Sequence, residues 1–126
     1  MRILLDAGAL IALERKDQAM WERLKVARVA GEVPLTHAGI VGQVWRGRGP
    51  RQALLARALA GIEIRDLDEA MGRASGELLA RVRLDDVIDA SLVLLANDGD
   101  IILTSDPDDL EPLLNAAGLD VDILVV

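Results

Sequence analysis

Three aspartates stand where a carboxylate is expensive unless its charge is used. Asp6 closes the apolar run Ile3-Leu-Leu, Asp106 follows Ile101-Ile-Leu-Thr-Ser, and Asp86 heads the apolar stretch Val87 to Leu95. A charged group beside a buried strand costs free energy if it is left unpaired. In an open α/β sheet, ligands bind outside the carboxyl ends of the strands. Acids gathered there, with no lysine among them, suit a hard divalent cation with oxygen ligands. Asp89 lies three residues beyond Asp86 on the same helix face and offers a further carboxylate. Singly, each has an ordinary explanation: Asp6 and Asp86 as helix N-caps, Asp106 before Pro107 as a turn former. Their joint placement points to chemistry.

The elements that must position these acids can be read along the chain. Arg2–Leu5 is a short aliphatic run, too brief for a helix, and reads as a buried strand. Ala9–Lys16 and Gln18–Ala30 read as helices, the second capped by Asp17. Val33–Thr36 reads as the second strand, and Thr36 as the cap of a helix running to about Trp45. Gly47-Arg-Gly-Pro50 breaks the chain, with Pro50 suited to the first turn of a helix over Arg51–Ala60. Ile62–Arg65 alternates as strand three, and Asp68 caps a helix through Arg81. Asp85 or Asp86 opens an apolar helix to Ala96. Asp100–Thr104 is strand four, Pro107–Ala117 a helix ended by Gly118, and Val121–Val126 the last strand. Alternating strands and helices imply one α/β domain over residues 1–126: a mostly five-stranded parallel sheet with helices on both faces.

Composition narrows the function classes. The hydrophobic fraction is 52%, with two Trp and neither Phe nor Tyr. The core must therefore be aliphatic, and the stacking platforms of single-strand-binding proteins are missing. No cysteine is present, which excludes a disulfide framework and a thiolate metal site. No apolar run approaches a membrane span and no signal peptide is evident, so a cytoplasmic protein is expected. The net charge of −7 speaks against nonspecific nucleic-acid binding by the whole surface. The charge is unevenly spread, however. From Val82 to Val126 there are eleven acids and one base, Arg83, while Arg46, Arg48, Arg51 and Arg57 share a stretch without an acid. An acidic pocket flanked by arginines can take a polyanion once metal ions neutralise the pocket.

Among acidic-pocket α/β classes, a phosphorelay receiver needs a lysine after its last strands, and none is there. A phosphatase of the haloacid-dehalogenase type needs an Asp two residues after the first, where Gly8 stands. Four segments in order, Leu4-Leu-Asp6-Ala-Gly-Ala-Leu-Ile-Ala-Leu13, Ile40-Val-Gly-Gln43-Val-Trp-Arg-Gly47, Asp86-Val-Ile-Asp-Ala90 and Leu103-Thr-Ser-Asp106, resemble the PIN domain, most closely the VapC-type toxins of toxin–antitoxin pairs. The resemblance spans essentially the whole chain. It implies a ribonuclease dependent on Mg²⁺ or Mn²⁺, with Asp6, Asp86 and Asp106 as catalytic acids and metal ligands; Asp89, one turn into the Asp86 helix, is a candidate substitute ligand by its place there and not by the resemblance. The resemblance also implies an RNA substrate, a cognate antitoxin and a homodimer.

One position departs from that pattern. Where the family carries Glu before Trp-Arg-Gly, this chain has Gln43, which can ligate through its carbonyl but brings no charge and cannot act as a base. The alternative reading follows from it: a degenerate, weakly active PIN domain that binds RNA or antitoxin. Gln43 is expected to face the acidic pocket. Ser105 or Thr104 can bond a water or phosphate there, and Arg46, Arg48 and Arg51 can contact RNA phosphates. The lone His37 reads as a helix-start residue. Trp21 and Trp45 read as packing residues, and the surfaces of Ala9–Ala30 and Ala53–Ala60 as regions covered by another chain.

Overall fold

The computed structural model describes residues 1–126. Five strands, β1 (Ile3–Leu5), β2 (Leu35–His37), β3 (Glu63–Arg65), β4 (Ile101–Thr104) and β5 (Asp122–Val125), form one parallel sheet in the order β3-β2-β1-β4-β5. The chain winds outward from β1 to β3, then returns to the other side of β1 for β4 and β5. The strand order therefore reverses between β1 and β4. Such a reversal opens a crevice at the carboxyl ends, because the connections leaving the two strands diverge. Helices α1 (Ala7–Glu14), α2 (Gln18–Val29), α3 (Ala38–Val44) and α4 (Pro50–Leu59) pack among themselves, and α5 (Glu69–Val82), α6 (Val87–Leu95) and α7 (Pro107–Ala117) form a second group.

Leucine dominates the core. Leu4, Leu5, Leu10, Leu35, Leu78 and Leu92 are fully buried, Met20 fills the helix side, and no aromatic ring enters the buried cluster. The opposite ends of β1 and β4 are locked by a separate device. The Arg2 main-chain N–H donates to Asp100 Oδ1 (2.9 Å), while its guanidinium reaches Asp100 Oδ2 (3.1 Å) and the Leu95 carbonyl (2.7 Å). Burial would raise the Asp100 carboxyl, but bonds from Asn97 and Arg2 outweigh it and hold the group below its usual range.

Element boundaries fall within about two residues of the sequence reading, the scatter expected at fraying ends. One cap differs. Thr36 belongs to β2, and its hydroxyl donates to the Leu5 carbonyl across the β1–β2 pair (2.7 Å). His37 caps α3 instead, with Nδ1 accepting from the Gly39 N–H (3.0 Å). A fully buried threonine between two strands finds its nearest acceptor laterally, which frees the following residue to cap.

Gly8 shows how tightly the crevice closes. A Cβ there would lie 2.1 Å from Ser105 Oγ and 2.9 Å from the Ser105 main-chain nitrogen. Gly8→Ala should destabilise the protein by about 1–3 kcal/mol, the usual cost of overpacking. Thermal melting checks this, and Gly8→Ala/Ser105→Gly should recover only part of the loss because the main-chain clash remains.

Candidate functional site

The β1–β4 register pairs Leu5 with Leu103, and the Asp6 N–H continues the ladder to the Leu103 carbonyl (3.2 Å). Asp6 is thereby held opposite Thr104, at the mouth of the crevice. The residue is 8% exposed. Oδ1 caps α1 by accepting from the Ala9 N–H (3.0 Å), and Oδ2 accepts a short hydrogen bond from the Thr104 hydroxyl. The same hydroxyl oxygen accepts from the Asp106 N–H (2.9 Å). Thr104 thus links the two acids that leave adjacent strands. Asp106 heads α7 but makes no side-chain cap, so its exposed carboxylate has no structural duty. Burial pushes the Asp6 carboxyl up. The Thr104 and backbone bonds oppose that shift, and the Asp106 charge adds to it.

The start of α6 supplies the next pair. Asp86 is exposed, and its Oδ1 accepts from the Asp89 N–H (3.0 Å) as an N-cap. Asp89 is half-buried and its carboxyl is pushed up to about 7. Burial is the first cause, followed by the charges of Asp86, Asp109 and Asp6, and Asp89 can share its proton with Asp86. Asp109, in the first turn of α7, escaped the sequence reading. The signal was available: it lies three residues beyond Asp106, the spacing that puts Asp86 and Asp89 on one face. Five carboxylates therefore surround the crevice, and none of them is in an ion pair.

Gln43 and the candidate arginines sit on α3 and the segment that follows it. Gln43 is exposed on α3, and the Arg46 guanidinium donates to its main-chain carbonyl (3.1 Å). Arg46 also reaches the Trp45 and Gly42 carbonyls, so it caps the carboxyl end of α3. Arg48 and Arg51 are exposed. Their loop is fixed by buried Gln52, whose Oε1 accepts from the Arg46 and Gly47 N–H groups (2.7 and 3.0 Å) and whose Nε2 donates to Glu14 (3.2 Å). Glu14 ends α1, roughly 12 Å along the helix from Asp6 at 1.5 Å per residue. The segment that carries the arginines is therefore tied to the end of α1 remote from Asp6. Ser105 is exposed and packs on Gly8, leaving Thr104 as the hydroxyl that touches Asp6. His37 is the helix-start residue that the sequence suggests. Trp21 is half-buried, its indole donating to the Leu13 carbonyl (3.0 Å), and Trp45 is partly exposed.

The all-carboxylate donor set fits a hard divalent cation, and the raised Asp89 and Asp6 carboxyls mark a cluster without a counter-charge. The side chains are not drawn into one coordination sphere: no three acids or histidines are grouped closely enough to hold an ion. Asp106 and Asp109 are both exposed at the start of α7. No helix is long and apolar enough to cross a membrane.

The fold, a five-stranded parallel sheet in this order with acids at the β1–β4 reversal, is PIN-like. Among solved structures, VapBC2 from Rickettsia felis bound to a DNA fragment from their promoter is similar, with a TM-score of 0.68 at 13% identity. The match covers 98% of this chain and 99% of that one. No protein-family model and no curated protein matches the sequence.

The Asp89 shift has a stability consequence. The folded protein keeps this proton up to about pH 7, whereas an unfolded aspartate releases it near 3.8. The contribution is complete below pH 3.8 and is lost as pH rises through 7. His37 works the other way, because burial lowers its pKa below 6.5 and its contribution is lost as pH falls below that value. Without metal, Asp89→Asn should melt higher than wild type at pH 8, the difference shrinking towards pH 4. A difference independent of pH would show that Asp89 is not the titrating group.

Proposed function

We propose that this chain is a metal-dependent ribonuclease of the toxin type, with Asp6, Asp89 and Asp106 as principal ligands of Mg²⁺ or Mn²⁺ and Asp86 and Asp109 completing the acidic shell. The observation that carries this reading is the convergence of unpaired acids on the strand-order reversal, where Asp89 feels the charges of Asp6, Asp86 and Asp109. Bound there, a divalent ion would lower the pKa of water and offset charge on the phosphoryl oxygens. The chain's own part is orientation. Thr104 fixes the Asp6 carboxylate, the α1 N-terminus holds it in place, and the Asp86 cap sets the first turn of α6. Arg48 and Arg51 suit phosphates outside the scissile position, since a guanidinium fork binds them without base preference.

A cognate antitoxin is the second part of the proposal. A cavity of about 990 Å³ runs between α2 and α4, lined by Trp21, Leu24 and Leu54. Around it stand both lysines of the chain, Lys16 and Lys25, with Arg28 and Arg57, against two acids, Glu22 and Glu32. Exposed Val26, Val29 and Val33 extend the apolar surface nearby. In a molecule of net charge −7, this basic and apolar groove suits an acidic amphipathic segment of a partner. A second copy of the chain is the remaining partner, and light scattering at high concentration reads it directly.

Gln43 favours one rival, a domain that keeps the fold and partner surface but turns over slowly. The experiment compares Mn²⁺ affinity, melting temperature and cleavage of a structured RNA pool for wild type, Asp6→Asn, Asp89→Asn and Gln43→Glu. Wild type should cleave, and millimolar Mn²⁺ should raise its melting temperature by mass action. Asp6→Asn and Asp89→Asn should each lower cleavage on the order of 100-fold, a few kcal/mol of lost charge stabilisation. Gln43→Glu should tighten Mn²⁺ roughly tenfold by adding ligand charge. Cleavage untouched by Asp6→Asn would mean another active site or a contaminant. No melting shift with metal would favour the binding module.

A further inference from the structure

We infer that His37 is a positioning residue for the Asp89 carboxylate, holding the peptide unit between Ile88 and Asp89 from across the fold; the inference rests on Asp89 belonging to the proposed site. The imidazole is 1% exposed. Its Nδ1 accepts from the Gly39 N–H (3.0 Å), so that nitrogen carries no hydrogen. The proton of the neutral ring must then sit on Nε2, which lies 3.1 Å from the Ile88 carbonyl oxygen and donates to it. That carbonyl shares one planar peptide unit with the Asp89 N–H, which donates to Asp86 Oδ1 (3.0 Å). The plane is gripped at both polar ends, by His37 on one side and Asp86 on the other. Turning it would swing the Asp89 Cα, and with it the carboxylate facing Asp6.

Gly39 supplies a second observation. A Cβ there would fall 2.6 Å from Ile88 Cδ1 and 2.9 Å from His37 Cε1. The first turn of α3 thus approaches α6 closely enough for the ring to reach the helix, and a side chain at residue 39 would require Ile88 Cδ1 and the ring to shift. A histidine needed simply to start α3 would have no use for the Ile88 carbonyl. Asparagine would cap as well.

That contrast gives the test. His37→Asn keeps a cap for α3 but is too short to reach Ile88, whereas His37→Ala removes both bonds. Amide hydrogen exchange on the metal-free protein should show Asp89 and Ala90 about fivefold faster or more in both variants, the usual effect of one lost hydrogen bond. Gly39 should become faster only in His37→Ala. Mn²⁺, used alone as the probe, should bind about tenfold more weakly to His37→Asn, as when an outer partner of a metal ligand is removed. Unchanged Asp89 exchange would overturn the clamp. Faster exchange with unchanged Mn²⁺ affinity would overturn the positioning role and leave an ordinary structural bond. If wild type binds no Mn²⁺, the metal reading fails, and exchange alone decides the clamp. Should the variants not fold, nitrogen-15 spectra of wild type still decide, because a ring protonated on Nδ1 contradicts the geometry.

Discussion

The pairing of β1 with β4 is the constraint on which the rest of the molecule depends. Side by side and parallel, these strands deliver Asp6 and Asp106 to the same edge. Everything that leaves that edge diverges, because α1 departs towards one group of helices and α7 towards the other. The crevice is the space that this divergence leaves open. Thr104 stitches it, donating to Asp6 and accepting from the Asp106 N–H. Gly8 lets the start of α1 close against Ser105. At the far end of the same two strands, Arg2 and Asp100 form the lock that keeps the register from slipping. A slip by one residue would turn Asp6 from the crevice to the opposite face, so register and chemistry are a single specification.

The acidic cluster opposes folding as much as it serves a site. Burial, with the charges of Asp86, Asp109 and Asp6 added to it, raises Asp89 to about 7, and burial raises Asp6. Both shifts mean that the folded chain holds protons an unfolded chain would release, a cost at neutral pH. The fold offsets this with fixed dipoles rather than cations. Asp6 lies at the N-terminus of α1, Asp86 and Asp89 at that of α6, and Asp106 and Asp109 at that of α7. Helix N-termini carry partial positive charge, and three of them are spent on these acids. No arginine or lysine is diverted into the cluster, which leaves the carboxylates free.

Much of this was legible in the sequence, for a physical reason. Aliphatic runs ended by Asp, and helices begun by Asp or Pro and ended by Gly, are local signals that do not depend on distant contacts. They located α7 from Pro107 to Ala117 and placed Asp6 and Asp106 after their strands. What remained hidden was lateral. Thr36 reads as a cap until β1 lies beside it. Gln52 looks like an ordinary helix residue until Arg46, Gly47 and Glu14 converge on its amide. Arg46 reads as a free cation, yet its shortest path is back to the carbonyls of its own helix. Asp109 shows the same limit: its spacing was visible, but its role emerges only when α6 and α7 begin at one edge.

On the ribonuclease reading, Gln43 and Asp109 bear on each other. An amide at residue 43 brings no charge to α3, while Asp109 brings one to the first turn of α7. Metal affinity follows ligand charge and reach together, so a carboxylate on the first turn of a well-anchored helix can compensate where an amide cannot. Repulsion within the shell is compensated too. Asp89 already carries the fields of three other acids, and a further charge on α3 would add to that strain in the absence of metal. An amide at that position adds nothing to the repulsion and leaves the five carboxylates in place. A loss of function at this position does not follow from the amide alone; it follows only if the carboxylates of α6 and α7 fail to close on the same ion.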